Sequence, residues 1–211
     1  MKHAKRHPLI FGTIILTATG LITRVIGFFY RIYLSRLFGE EGMGIYQLLS
    51  PALSLSFSLT AAGYQTAISK YVAADSAKRP SGNLKPLLAG ISITLPLSLV
   101  TNAILFFSAD PIGIFLLKDH RTVPMLRILS FSFPFAALHA CINGYFYGKK
   151  KASVPALTQL LEQLARVSCV FLVTGADLAE GRTPSINAAV LGLTVGEIFS
   201  MLIALVCLYI H

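Results

Sequence analysis

Arg24 and Arg31 stand seven residues apart in an apolar run, residues 8–38, that is long enough to cross a bilayer. On a helix this spacing places both guanidiniums on one face, about two turns apart. Gly20 and Gly27 repeat the same interval on a neighbouring stripe. An arginine at the bilayer centre costs about 2.5–3.5 kcal/mol on insertion scales. Two of them therefore need water, protein or an anion beside them. A guanidinium grips phosphate oxygens through two parallel N–H bonds, so an anionic headgroup suits such a face. The plainer reading of Arg24 is a structural pairing with Glu162 or Glu197. For Arg31 it is snorkelling to the outer interface.

Further polar side chains sit in the apolar segments downstream. Glu162 and Arg166 are four residues apart in the favourable order and can pair within one helix or line a cavity. Gln159 and Gln163 can hydrogen-bond sugar hydroxyls, and can equally join helices. Glu197 is alone in its segment. An intramembrane acid is a functional candidate by default, here for a proton or sodium ion, although it can also neutralise an arginine. Arg127 lies near the outer face and can snorkel. His139 is expected as a hydrogen-bonded bundle residue, and Gly144 and Gly148 as a packing pair. No catalytic motif is found: H-E-x-x-H, G-x-S-x-G and the P-loop are all missing. The three cysteines, Cys141, Cys169 and Cys207, lie in apolar segments without metal-ligand spacing. No catalytic residue, metal or cofactor is expected, and no nucleotide hydrolysis by this chain.

The elements that hold these residues follow from composition. Of 211 residues, 55% are apolar and 13% charged, and mean hydropathy is +0.69. A soluble domain carries about 25% charged residues. The net charge of +9 is spread over short loops and forms no stripe or arm, which argues against nucleic acid. The reading is an all-α, polytopic membrane bundle in one domain, residues 1–211. Its six spans are placed at about 8–38, 45–72, 84–107, 123–147, 154–173 and 186–210. The signal-peptide-like start is taken as an uncleaved first helix. A turn over residues 39–44 ends the first span. Pro51 and a serine ladder mark the second, and Pro96 is expected to kink the third. The apolar patch 112–117, too short to span, reads as a cap at the interface. Tyr145, Phe146 and Tyr147 are expected at the headgroup level.

Loop charge orients the bundle. Lys2, Lys5, Arg6, Lys70, Lys78, Arg79, Lys85 and Lys149 to Lys151 fall in the N-terminus and in loops two and four, where Asp75 is the single acid. The other loops are mostly acidic. The positive-inside rule then puts the N-terminus and C-terminus in the cytoplasm of a multi-pass cell-membrane protein.

Three stretches carry a resemblance. TRVIGFFYRIYLSRLFGEEGMGIYQ (23–47) resembles the first-helix signature of the stage V sporulation protein B-like polysaccharide and lipid-linked oligosaccharide flippases. AAGYQTAISKYVA (61–73) and GYFYGKKKASVPALTQLLEQLARV (144–167) are similar to the same family. It lies within the multidrug/oligosaccharidyl-lipid/polysaccharide, MATE-like, exporter superfamily. The resemblance implies two bundles facing each other around a central cationic cavity that opens to alternate sides. The cargo would be an anionic lipid-linked sugar for polysaccharide, cell-wall or spore-cortex synthesis, with membrane lipid as a further partner. Arg24, Arg31, Gln159, Glu162, Gln163 and Arg166 are the expected cavity residues and Glu197 the coupling-ion candidate. No second copy of the first-helix motif occurs here. The chain is therefore expected to be the N-terminal bundle of a longer protein, or to pair with another copy of itself. The alternatives are a cation-coupled multidrug exporter of the same superfamily and a non-transporting truncated product.

Overall fold

The computed structural model describes the backbone of residues 8–78 and 84–210, and the side chains of 12–76 and 84–210. Lys2, Lys5, Arg6 and Arg79, and the side chain of Lys78, all used in the charge argument, lie outside these. The helices are α1 (Pro8–Leu48), α2 (Ser50–Phe57), α3 (Gly63–Lys78), α4 (Lys85–Phe107), α5 (Ala109–Pro111), α6 (Thr122–Ser130), α7 (Ser132–Gly148), α8 (Ser153–Ala179) and α9 (Asn187–Ile210). Wide π-helical turns fill Ser58–Ala62 and Ile112–Leu116. No strand occurs among the described residues.

Among the described residues, five stretches are long and apolar enough to cross a membrane: Gly12–Ser76, Lys85–Phe107, Thr122–Gly148, Ser153–Ala179 and Asn187–Ile210. The first, of 65 residues, is about three times what one span needs. Gly39 divides it. Its φ of 68° and ψ of −175° belong to a region that only glycine enters cheaply. Tyr30 and Leu34, before the break, share a packed cluster with Met43 after it, so the chain folds back there. The turn expected over 39–44 is confined to this one glycine, and the helix resumes at once.

The helices run between two ends of the bundle. At one end Gly12 of α1 faces Ala152, where an added methyl would lie 3.2 Å from the alanine Cβ. Ile68, Val72, Leu87, Phe146, Val154 and Ala204 pack together at this end. At the other, Ile45, Leu49, Leu105, Ala109, Val123 and Val190 form a second cluster. Arg121 binds Glu41 at 2.7 Å and Arg127 binds Asp110 at 2.5 Å there. Outward faces carry large apolar side chains, including Phe28 and Phe29, each 63% exposed. This is the inside-out distribution of a chain whose solvent is hydrocarbon.

Several expectations are corrected. The second segment does not stop at residue 72, since α3 continues to Lys78. The fourth stands as one apolar stretch, Thr122–Gly148, with a turn at Phe131 between α6 and α7. Pro134 has no N–H to bond the Ser130 carbonyl and its ring crowds that group, so α7 must start afresh with proline in its first turn. Tyr145 and Phe146 are not at a lipid surface. They are buried because α3, α4 and α9 all pack on α7. Arg127 is paired with Asp110 and does not simply snorkel. The patch 112–117 does stay short, with Gly113 buried and Phe115 and Leu116 exposed. Helix α4 is continuous through Pro96.

Candidate functional site

Small residues bring the polar ones together. Gly192 and Gly196 of α9 lie against α8, where added methyls would come within 2.5 Å of Val170 Cγ2 and 3.1 Å of the Glu162 carbonyl. Close approach at glycine is a common way to pack helices in lipid. It sets Glu197 beside Glu162. On α7, Gly144 and Gly148 do the same for α3, meeting the carbonyls of Gln65 and Ser69. On α1, Gly27 leaves room for the Gln163 amide.

Helix α8 carries Gln159, Glu162, Gln163 and Arg166 on one stripe, and two cavities flank it. The larger, of about 390 Å³, is bounded by Thr23, Gly27, Tyr30 and Arg31 of α1, by Tyr46, Gln47, Ser50 and Leu53 after the fold-back, and by Gln163 and Arg166. Two guanidiniums on two helices thus face one space. The Tyr30 hydroxyl and Arg166 Nε are buried and make no hydrogen bond to any described residue. Donors left unsatisfied in a buried site cost about 1–3 kcal/mol each, a cost that an acceptor removes. Among the described residues Arg31 has no ion pair, and it is exposed at the cavity rim.

The smaller cavity, of about 220 Å³, is bounded by Gln65, His139, Asn143, Tyr147, Gln159, Glu162 and Glu197. His139 Nε2 lies 2.8 Å from Asn143 Nδ2, 2.8 Å from Ser200 Oγ and 3.2 Å from Thr158 Oγ1. Its Nδ1 is 3.6 Å from Glu197 Oε2, an oxygen that is buried without a hydrogen-bond partner. One nitrogen of His139 and one oxygen each of Glu162 and Glu197 lie within 4.8 Å of one another. Arg166 donates to Glu162 Oε1 at 2.5 Å and to Gln163 Oε1 at 3.4 Å. The Glu162–Arg166 pair therefore links the two cavities.

The structure divides the residues singled out in the sequence. Arg31, Gln163 and Arg166 meet in the larger cavity, and Gln159, Glu162 and Glu197 in the smaller. Arg24 is exposed and borders neither, and it has no ion pair with Glu162 or Glu197. Tyr30, Tyr46 and Gln47 are cavity residues that the sequence does not single out. Tyr30 adjoins Arg31, but nothing local says that the chain folds back to bring Tyr46 and Gln47 opposite. The meeting of His139 with Glu197 also had no local signal, although Asn143, one turn from His139, was visible.

The family model described as polysaccharide biosynthesis protein matches residues 9–211. The chain is 36% identical over 197 residues to the stage V sporulation protein B of Bacillus subtilis, covering 93% of this chain and 38% of that protein. It is 27% identical over 179 residues to the lipid II flippase MurJ of the same bacterium, covering 81% and 32% respectively. An uncharacterized membrane protein, YabM, also from Bacillus subtilis, is 28% identical over 164 residues, covering 78% and 30%. The chain spans well under half the length of these relatives. No solved structure matches it.

Proposed function

The chain belongs to the polysaccharide biosynthesis protein family, and from that premise we propose that it forms one bundle of a flippase for an anionic lipid-linked oligosaccharide or peptidoglycan precursor. The observation that carries the reading is the cavity in which Arg31 and Arg166 converge beside the open donors of Tyr30 and Arg166. A diphosphate offers the charge and the acceptor oxygens that these groups need. Gln47 and Gln163, which line the same cavity, would hydrogen-bond the sugar, and the lipid tail would stay in the bilayer. Similarity to a lipid II flippase supports the substrate class. The share of the relatives that is matched supports a second bundle, supplied by the rest of a longer chain or by another copy.

In this reading the work is transport across the cytoplasmic membrane and involves no covalent step. Arg24 shares the α1 face of Arg31 and stands where a facing bundle would meet it. The N-terminus, the α7–α8 turn and the end of α9 lie on the cytoplasmic side, and Glu197 serves the coupling ion. The test is headgroup translocation in proteoliposomes, using the full-length protein and a labelled lipid-linked sugar diphosphate. Arg31→Ala and Arg166→Ala are each expected to slow flipping at least about tenfold, the effect of losing about 1.4 kcal/mol of headgroup binding. Unchanged flipping in both variants removes the assignment of this cavity.

A further inference from the structure

Residues 47–59, α2 and the turns that flank it, have two unlike faces. Gln47, Ser50 and Leu53 turn to the larger cavity. Leu48, Ala52, Leu55 and Leu59 recur every three or four residues on the opposite side, as one stripe of a helix does. That stripe faces α4 across an apolar groove of about 340 Å³. Thr101 and Ile104 form the far wall, and the short cap that ends at Leu117 closes one end. We propose that this groove seats one acyl chain of an anionic phospholipid, whose phosphate rests on Lys118.

The dimensions fit a chain of one leaflet. From Leu48 to Leu59 the groove runs eleven residues, about 16 Å at about 1.5 Å per residue. Half of a hydrocarbon core of about 30 Å has nearly the same depth. Leu55, Leu59 and Ile104 are each more than half exposed, so the groove opens sideways to the bilayer. It offers little to a polar ligand. Ser56 is buried, and Thr101 Oγ1 already donates to the Leu97 carbonyl of its own helix at 2.9 Å.

The charge stands at the capped end. Lys118 follows Leu117 directly, and its φ of 56° is left-handed, uncommon for lysine. The reversal is held by Leu117 N–H on the Ile112 carbonyl at 2.9 Å and Asp119 N–H on the Gly113 carbonyl at 3.0 Å. Arg121 and Arg127 at this end are engaged by Glu41 and Asp110. Lys118 is exposed and has no ion pair among the described residues. A cation without an acid beside it, one leaflet away from the deep end of an apolar groove, complements a lipid phosphate. The tail of the cargo is a poorer occupant, since α2 stands between this groove and the headgroup cavity. A second bundle that closes the larger cavity also lies across α2 and leaves the groove to lipid. The site does not depend on the flippase reading.

The test is photolabelling of the full-length protein in vesicles. The probe is phosphatidylglycerol with a diazirine on one acyl chain, and labelled residues are read by mass spectrometry. Label is expected on Leu55, Leu59 and Ile104 severalfold above Phe28 and Leu172, which are comparably exposed on other helices. Thr101→Phe, which puts a ring in the deep end, is expected to remove the label from Leu59. Lys118→Gln is expected to lower labelling by this probe about fivefold, the worth of one basic residue beside an anionic lipid. Labelling by diacylglycerol with the same chain is expected to be unchanged in that variant. Even labelling of all lipid-facing residues, or groove label that survives Thr101→Phe or is indifferent to Lys118→Gln, overturns the proposal. So does an unlabelled groove, which would mean that the rest of the chain or another copy covers it. If Thr101→Phe does not fold, Lys118→Gln on the exposed cap decides alone. No lipid-linked sugar enters this readout, so its failure and failure of the flippase reading are told apart.

Discussion

At the scale of single residues, the positive charge facing the larger cavity comes from Arg31 and Arg166, two residues that belong to different segments of the sequence. Arg166 is both the partner of Glu162 and a donor towards the cavity, so its substitution would also leave Glu162 unpaired. Arg31 is the cleaner probe of headgroup binding. Glycine positions give sharper structural predictions. A methyl on Gly144 would lie 2.6 Å from the Gln65 carbonyl oxygen, with backbone on both sides of the contact. Gly144→Ala is expected to destabilise by about 1–3 kcal/mol, as overpacking does, in thermal unfolding in detergent. Gly20→Ala, which meets nothing within 4 Å, is expected to be neutral or slightly stabilising. In the loop before α6, hydrogen bonds from the Arg121 side chain and backbone hold the Asp119 carboxyl below its usual range. Its small contribution is therefore present above the ordinary aspartate value, near pH 4, and is lost as pH falls through the lowered one. Melting curves of the native chain and Asp119→Asn should differ slightly at neutral pH and converge in strong acid.

At the scale of elements, the fold depends on where helices are allowed to stop. Gly39 is the sole non-helical residue inside α1, and the larger cavity exists because the chain reverses there. Gly39→Ala is expected to cost about 1–3 kcal/mol, the usual strain of a side chain in that backbone region, and to reduce headgroup binding with it. Chemical unfolding and a binding measurement on one preparation would check both effects. Insertion of a straight helix in place of the reversal would separate Tyr30 from Met43 and dissolve their shared cluster. The α8–α9 contact is the second dependence. Gly192 and Gly196 bring the backbones close enough for Glu197 to reach the pocket that Glu162 and His139 line.

At the scale of the whole molecule, the two ends of the bundle differ in charge. The end with Lys150 gathers the α7–α8 turn, the start of α1 and the close of α9. The other presents Glu41, Asp110, Arg121 and Arg127 in ion pairs. The charge excess predicts that the Lys150 end faces the cytoplasm. In a variant without Cys169 and Cys207, a cysteine placed at Arg182 should react with an impermeant maleimide added outside intact cells. One placed at Lys150 should react only after lysis. The reverse pattern would invert the bundle and the direction of transport proposed for it.

The sequence by itself determined the class of this protein. Apolar runs near 20 residues, a low charged fraction and basic alternate loops leave few options in a solvent without hydrogen-bond partners, so a helical membrane bundle followed from composition. The long segments were legible for the same reason, and so was the Glu162–Arg166 pair, because four residues on a helix is a fixed distance. Tertiary structure decided what no local interval encodes. It narrowed the first turn to Gly39, placed a turn inside the fourth segment ahead of Pro134, and buried Tyr145 and Phe146 under three neighbouring helices. It put Arg31 with Arg166 while leaving Arg24 outside, and set His139 against Glu197 across 58 residues of chain. Which stripe of a helix meets which neighbour depends on backbone approach at a few glycines, and in lipid an apolar face and an interior face read alike in sequence.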